Sequence, residues 1–318
     1  MKLINTLSIL IFLFIAVACS SESDSVMNDI ENKNEVPASK EVVAAFNISL
    51  SGQAIQSRSA DAEPEGANEK ESRIKNCFIA AVSENGTVLC SFTSNNPSDI
   101  KMLVKVSDTY QPTLTFVAVA NVEDQAMNDL LQSQNLSSIE KVTLTETPET
   151  LVKVGFSEVK NYSISEGNKT DITIPLTQRT AAVELASLTV DDNNVVVESL
   201  ELVNVKNNTK VKGEGTADYI ASGILTIHDN NYTSARLYAY ENTSDTKTAI
   251  KITYTYKDVV YDRTYTIKTD KIEKLLAGKL YKLDVKISSS SAAIEFEVKD
   301  WTLNEINLGT IDGTQTKK

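Results

Sequence analysis

The most regular feature of the chain is an alternation of apolar and polar residues with a period of two. In the clearest run, one face carries Val42, Ala44, Phe46, Ile48 and Leu50 while the residues between them are mostly small or polar. This pattern is typical of a strand with one buried face. Comparable runs predict further strands at residues 77–83, 87–93, 101–106, 114–120, 151–156, 169–176, 182–188, 195–205, 223–228, 235–240, 250–256, 260–268, 280–287 and 292–298. Apolar residues spaced by three and four predict short helices at residues 123–134 and 270–277.

These elements predict a mostly β protein with one or two short helices. Strands separated by short connections are typical of β-sandwiches. A chain of 318 residues suits two domains of ordinary size. We place an N-terminal β-sandwich domain at residues 41–178 and a C-terminal β-sandwich domain at residues 179–318.

The first residues predict an export signal. Lys2 precedes a run of twelve mostly apolar residues, Leu7 to Ala18, which is too short to span a bilayer because a spanning helix needs roughly 20 residues. The run ends in Ala16-Val17-Ala18-Cys19, which resembles the lipobox of bacterial lipoproteins. We expect residues 1–18 to be the signal peptide and Cys19 to carry the lipid. The alternative is an ordinary secretory signal with an incidental cysteine.

The strand at residues 42–50 lies between two polar segments. Residues 19–40 are rich in Ser, Asn, Asp and Glu without periodicity, as in a flexible tether. Residues 52–73 are polar again and contain Arg58 followed by Ser59, a composition typical of exposed loops that proteases cut. The sequence therefore predicts an isolated strand between two linkers.

Charge and composition exclude several kinds of function. The formal net charge is −12, which makes nucleic acid a poor partner. The chain has a single histidine, His228, and catalysis by a Ser-His-Asp or Cys-His group needs a base oriented by a third residue. We therefore predict no enzyme activity, no metal site and no cofactor.

Two cysteines remain beyond Cys19. Asn85-Gly86 predicts a two-residue hairpin loop that places Cys90 opposite Ala81, four residues away from Cys77. At about 3.3 Å per residue this separation is too long for a disulfide. We expect two free, buried thiols.

Several segments along the chain together form a recognisable pattern. They are Ala16 to Cys19, Ile74 to Val82 followed by Asn85-Gly86, Ile174 to Val183, Tyr238 to Asn242, Leu280 to Val285 and Val298 to Trp301. No single segment is specific, but in their order and spacing over nearly the whole chain they resemble the fimbrillins of the type V pilus family, the major fimbrial-subunit lipoproteins of Gram-negative anaerobes.

The resemblance implies two transthyretin-like β-sandwich domains and export as a lipoprotein. It also implies cutting after an arginine at the cell surface, loss of the N-terminal strand and polymerisation by strand donation. Arg58–Ser59 is then the candidate cleavage site, with Arg73 as its competitor, and residues 42–50 are the removable strand. The candidate donor is the tail at residues 302–318, with its apolar residues Leu303, Ile306, Leu308 and Ile311.

The expected function is a structural subunit of a cell-surface fimbria that mediates adhesion. Its partners would be other copies of itself, other fimbrial subunits, an arginine-specific surface protease and a host or bacterial adhesion target. Lipid on Cys19 would hold the precursor on the outer membrane before it joins the fimbria. The alternatives are an anchor or tip subunit, or a surface lipoprotein that binds glycan or host protein without polymerising.

Overall fold

A computed structural model describes residues 40–52, 65–228, 236–267, 274–288 and 291–302, and within these ranges strands predominate. The prediction of a mostly β protein is confirmed. The strands are β1 (Glu41–Gly52), β2 (Glu65–Gly66), β3 (Cys77–Ser83), β4 (Val88–Ser94), β5 (Ile100–Ser107), β6 (Leu114–Ala120), β7 (Thr143–Leu144), β8 (Lys153–Val159), β9 (Lys169–Gln178), β10 (Thr180–Val190), β11 (Val195–Lys206), β12 (Thr209–Lys210), β13 (Tyr219–Thr226), β14 (Arg236–Tyr240), β15 (Ala249–Tyr256), β16 (Val259–Thr266), β17 (Lys279–Ser288) and β18 (Ser291–Thr302). The helices are α1 (Glu69–Ser72), α2 (Asp124–Gln132) and α3 (Leu136–Lys141), with a 3₁₀ turn at Pro148–Thr150.

The first half of the described chain forms a seven-stranded sheet in the order β4-β3-β6-β8-β9-β1-β5. Only three residue pairs join β8 to β9, the first of them Lys153 and Gln178. One apolar cluster contains side chains from β1, β5 and β9 as well as from β3 and β6. The sheet therefore folds over on itself, so that the β9-β1-β5 part faces the β4-β3-β6-β8 part across a shared core.

Helices cover the outer face of β3 and β6. Phe78 and Val117 point away from the shared core and pack with Leu130 of α2 and Ile139 of α3. The prediction of a helix at residues 123–134 is confirmed, because α2 buries Ala126 and Leu130, one helical turn apart.

The second half of the described chain forms two sheets around a separate apolar cluster. One has the order β14-β10-β17-β18-β2 and the other β13-β11-β15-β16. The short strand β2 pairs in parallel with the last two residues of β18, Trp301 and Thr302. Contacts between residues group Ser39–Lys318 into one compact unit.

The helix predictions need two corrections. The described residues contain three short α-helices rather than one or two. The described part of the predicted helix at residues 270–277 is not helical, because Leu275 instead exchanges backbone hydrogen bonds with Asn242, at 3.2 and 2.9 Å. Leu275 is buried, so tertiary pairing there overrides the local helical pattern.

The predicted hairpin loop is also one residue too short. Ser83 lies opposite Thr87, which leaves a three-residue loop ending at Gly86 with φ of 86°. A bulge at Leu89 then restores the predicted register, and Cys90 pairs with Ala81 as expected. Both thiols are free; Cys77 is buried and Cys90 is half-buried. Burial raises the pKa of Cys77 to about 12.

Candidate functional site: strand β1 and the segment that follows it

Strand β1 is a central strand, with a neighbour on each side. It pairs antiparallel with β5 from Glu41 to Ile48 and parallel with β9 from Ala45 to Gly52, eight residue pairs in each case. β5 ends the sheet on that side. If β1 were removed, β5 would have no sheet neighbour among the described strands, and β5 and β9 would each expose a row of unpaired backbone groups.

The inward face of β1 is fully integrated in the core. Ala44, Ile48 and Leu50 are buried, and the Phe46 side chain is only 1% exposed. The Phe46 ring lies 5.0 Å from the ring of Phe116 and 5.5 Å from that of Tyr162, measured between centroids. Val42, at the start of the strand, is partly buried against the same cluster. The five residues predicted from the alternation therefore share one face.

Losing this face without replacement would cost much of the stability of the fold. Burying a large apolar side chain contributes roughly 1.5–3 kcal/mol, so Phe46, Ile48 and Leu50 together contribute about 5–9 kcal/mol. A typical domain has a total stability of about 5–15 kcal/mol. Removing β1 would leave a slot between β5 and β9. Another segment must fill this slot if water is to be excluded from the core.

Polar side chains on the outer face of β1 fix its position along β9. The Asn47 amide Nδ2 donates to Asp171 Oδ1 at 2.8 Å, and Ser49 Oγ donates to the Ile172 carbonyl at 3.2 Å. Ser49 Oγ and Thr173 Oγ1 also lie within hydrogen-bonding distance, at 3.0 Å. These contacts are specific to one register, because a one-residue shift would turn Asn47 toward the core.

The segment that leads into β3 is held by a buried carboxylate, Glu71. Its helix, α1, begins with a capping box in which Asn68 Oδ1 accepts from the Glu71 amide at 3.0 Å and Glu71 Oε2 accepts from the Asn68 amide at 2.7 Å. Glu71 is 0% exposed. Arg236 Nη1 lies 2.7 Å from Glu71 Oε2, and the Tyr238 hydroxyl donates to Glu71 Oε1 at 2.8 Å. Strand β14 thus anchors a residue that is 165 positions away in the chain from Arg236.

The same segment is also fixed through its main chain. Gln178 Nε2 donates to the Glu71 carbonyl at 2.9 Å, in addition to the side-chain contacts. Lys153 Nζ donates to the Arg73 carbonyl at 3.1 Å, and Asn121 Nδ2 donates to the same oxygen at 3.0 Å. Ile74 then enters the shared core. Burial lowers the pKa of Lys153 to about 7, and the nearby Glu71 opposes this shift.

Several predicted residues lie outside the described part of the chain. These are the lipidation candidate Cys19, the cleavage candidate Arg58–Ser59, and the donor-tail residues Leu303, Ile306, Leu308 and Ile311. Arg73 is described, and its side chain is exposed.

Among the described residues, no three His, Cys, Asp or Glu side chains are grouped so that they could hold a metal ion. His228 is exposed at the end of the described segment that contains β13. None of the helices in the described ranges has the length and apolar character needed to cross a membrane.

Sequence reasoning did not find Glu71 and Lys153. The Asn68-x-x-Glu71 spacing is a helix-capping signature and could have located α1. No local pattern could have shown that this carboxylate meets Arg236 or that Lys153 is buried, because both depend on contacts distant in sequence.

Comparison with known proteins identifies the family. The sequence model described as "Fimbrillin-A associated anchor proteins Mfa1 and Mfa2" matches residues 65–307, which is more than half of the chain. No curated protein matches the chain in sequence.

Solved structures share the fold at low sequence identity. A candidate cell adhesion protein from Bacteroides eggerthii has a TM-score of 0.60 and 17% identity, covering 81% of this chain and 96% of that one. A fimbrilin (FimA) from Porphyromonas gingivalis has a TM-score of 0.54 and 13% identity, covering 81% and 97%. The tip fimbrial protein Mfa3 from the same species, with a C-terminal truncation, has a TM-score of 0.54 and 12% identity, covering 82% and 100%. The chain belongs to the family of fimbrillin-A associated anchor proteins Mfa1 and Mfa2, and its resemblance to the type V pilus fimbrillins is confirmed.

Proposed function

We propose that this protein is a structural subunit of a cell-surface fimbria that assembles by strand exchange at β1 and mediates adhesion. The observation that carries the proposal is the central position of β1, which has eight residue pairs on each side and a buried inward face. Removing such a strand leaves a slot whose backbone groups and apolar pockets match another extended segment. Membership of a fimbrial family supports the same conclusion.

Proteolysis would create the slot. We propose that Cys19 carries lipid on the outer membrane, and that an arginine-specific surface protease cuts between Arg58 and Ser59. Strand β1 ends at Gly52 in one sheet and β2 begins at Glu65 in another. A cut between these strands would leave β1 attached to the body by non-covalent contacts alone.

The proposed donor is the tail at residues 302–318 of a neighbouring copy. Strand β18 ends at Thr302, so the tail continues from a strand near the edge of its sheet. Its apolar residues Leu303, Ile306, Leu308 and Ile311 would enter the pockets that β1 vacates. Only Ile306 and Leu308 have the strict spacing of two that a strand face requires.

We also propose that the protein comprises two tandem transthyretin-like sandwiches, divided near residues 178 and 179. Strands β3 to β6, β8, β9 and β1 share one sheet, whereas β10, β11 and β13 to β18 form two others, one of which also includes the two-residue strand β2. Each half has its own main apolar cluster.

Filament formation by purified protein tests the proposal. The full chain is treated with an arginine-specific endoproteinase and observed by electron microscopy. We compare it with a variant lacking residues 303–318 and with a control lacking only residues 313–318, which keeps all four apolar tail residues. Filaments from the full chain and the control, but not from the first variant, are expected. Normal filaments without residues 303–318 would disprove the donor assignment, and absence of filaments from the full chain would disprove polymerisation by this route.

An anchor role is the second candidate, because the matching family is described as anchor proteins. An anchor would keep its lipid and its β1 strand. Mass spectrometry of protein isolated from fimbriae distinguishes the roles: a chain beginning at Ser59 indicates a processed shaft or tip subunit, whereas a lipidated chain beginning at Cys19 indicates the anchor.

A further inference from the structure

Arg73 has an exposed side chain but an immobilised main chain. Its carbonyl accepts hydrogen bonds from Lys153 Nζ and Asn121 Nδ2, at 3.1 and 3.0 Å. Both of these donors are buried, and so are the residues on either side of Arg73, Ser72 and Ile74. Exposure of the arginine head group therefore does not make the peptide bond after it accessible.

The residues before Arg73 are held just as firmly. Glu71 is buried and receives hydrogen bonds from Arg236 and Tyr238 on β14, while its carbonyl accepts from Gln178. Arg236 also contacts Glu184 of β10, with Nε 2.6 Å from Oε2, which fixes the orientation of the guanidinium. Strand β14, Gln178, Lys153 and Asn121 thus all contact one short stretch of chain, residues 71–73.

A protease must accept several residues around its target bond in an extended form, so a folded segment is cut only after it opens locally. Opening residues 70–76 would separate Glu71 from Arg236, withdraw Ile74 from the core and leave the buried Lys153 amine without its acceptor at Arg73. Separating a buried charge from its partner is strongly unfavourable.

We propose that the Glu71 contacts form a clamp that shields the Arg73–Ile74 peptide bond, so that arginine-directed cutting is excluded there although the Arg73 side chain is exposed. This inference rests on the proposed function only for its biological setting, in which an arginine-specific protease processes the chain. The shielding itself is a property of the folded protein and can be measured without lipid, filaments or the natural protease.

The test is limited proteolysis of the full chain with a purified arginine-specific endoproteinase, with the products identified by intact mass. In the native protein, cutting after Arg73 should be at least about a hundredfold slower than in a synthetic peptide spanning residues 68–79, because only the open form is cut. Glu71→Gln should accelerate cutting after Arg73 by about tenfold or more, because it removes the charge that pairs with Arg236. Tyr238→Phe should accelerate it by a smaller factor, because it removes one hydrogen bond to the carboxylate. Glu69→Gln is the matched control, since it neutralises an exposed acid in the same helix and should accelerate cutting much less than Glu71→Gln does.

Equal rates in Glu71→Gln and Glu69→Gln would overturn the proposal, as would native protein cut after Arg73 as fast as the peptide. Hydrogen exchange of the unmodified chain provides a measurement that needs no variant: the amides of Glu71, Ser72 and Lys75 should exchange as slowly as those of β3, and fast exchange there contradicts the clamp. Failure to cut after Arg58 would count against the proposed processing and would leave the result at Arg73 interpretable.

Discussion

Lys153 is the least expected residue of the protein, since a lysine with 0% exposure is rare in any fold. Its amine donates to the carbonyls of Arg73 and Leu151. Burial lowers its pKa to about 7, far below the ordinary value of 10.5. The residue therefore couples folding to pH.

The sign of this coupling follows from proton binding. Between pH values of about 7 and 10.5 the unfolded chain binds a proton on Lys153 more readily than the folded protein does, so stability should rise with pH, by at most about 1.4 kcal/mol per pH unit. The free energy of unfolding of the native protein should therefore increase between about pH 7 and pH 9 by more than that of a Lys153→Met variant. Urea titrations at both pH values measure this difference.

The matched control is Lys160→Met, which removes an exposed lysine directly after the same strand, β8. Its stability should change with pH in parallel with that of the native chain. A Lys153→Met variant that also runs parallel to the native chain would show that Lys153 keeps its ordinary pKa in the fold.

Phe46 is the residue on which the attachment of β1 most depends. Its ring contacts Phe116 and Tyr162, and it is 1% exposed. Phe46→Ala in the uncut chain should lower the free energy of unfolding by about 3–5 kcal/mol. Val43→Ala, three residues earlier on the outer face and 50% exposed, should change it by less than about 0.5 kcal/mol. Urea titration measures both changes. Similar decreases in the free energy of unfolding for the two variants would contradict the inward orientation of Phe46 and the outward orientation of Val43.

At the scale of elements, the join between β8 and β9 requires a residue without a side chain. A Cβ atom at Gly155 would overlap the Pro175 carbonyl oxygen and lie 2.9 Å from side-chain carbons of Ile174 and Leu176. Glycine therefore permits the close approach at which the folded sheet passes from one part to the other.

Gly155→Ala should destabilise the protein by about 1–3 kcal/mol or more, because backbone rather than a flexible side chain must move. Thermal unfolding of this variant can be compared with Ser157→Ala, a change at a half-buried position on the same strand. An unchanged melting temperature for Gly155→Ala would mean that β8 and β9 can separate without cost.

Elements with a strong local pattern were predictable from the sequence. The period of two identified β1 and its buried face, and the spacing of Ala126 and Leu130 identified α2. Short elements were not predictable. Helix α3 has six residues and depends on Asn135, whose Oδ1 accepts from the Ser138 amide at 2.8 Å, and a segment of this length shows no periodicity. At Leu275 the local pattern was outweighed by pairing with Asn242.

At the scale of the whole molecule, the neighbours of β1 could not be derived from the sequence. The side-chain contact between Asn47 and Asp171 spans 124 positions, and that between Glu71 and Arg236 spans 165. Apolar alternation shows that a strand needs a partner but does not specify which one. The sequence therefore predicted an isolated strand, which the family resemblance made a candidate for removal, but not that it lies between β5 and β9.

Two-sided pairing predicts how the molecule should respond to a cut between Gly52 and Glu65. Strand β1 should stay bound after the cut, because its backbone pairs and buried face persist without the covalent link. Size-exclusion chromatography of a cut chain, followed by mass spectrometry of the peak, should recover both fragments together. As a control, the same sample is run in denaturant, where the fragments should separate. Spontaneous loss of β1 in native buffer would contradict the prediction.

The directions of β5 and β9 have a consequence for any strand that replaces β1. Because β1 is antiparallel to β5 and parallel to β9, these two strands run in opposite directions. An incoming segment would thus have one parallel and one antiparallel neighbour whichever way it entered, so backbone hydrogen bonds favour neither orientation strongly. The orientation of the incoming segment would therefore depend on the side-chain pockets, which differ in size along the slot, as between the positions of Ala44 and Phe46. In a fimbria built through this slot, the polarity of the filament would be encoded in the order of small and large residues along the donor.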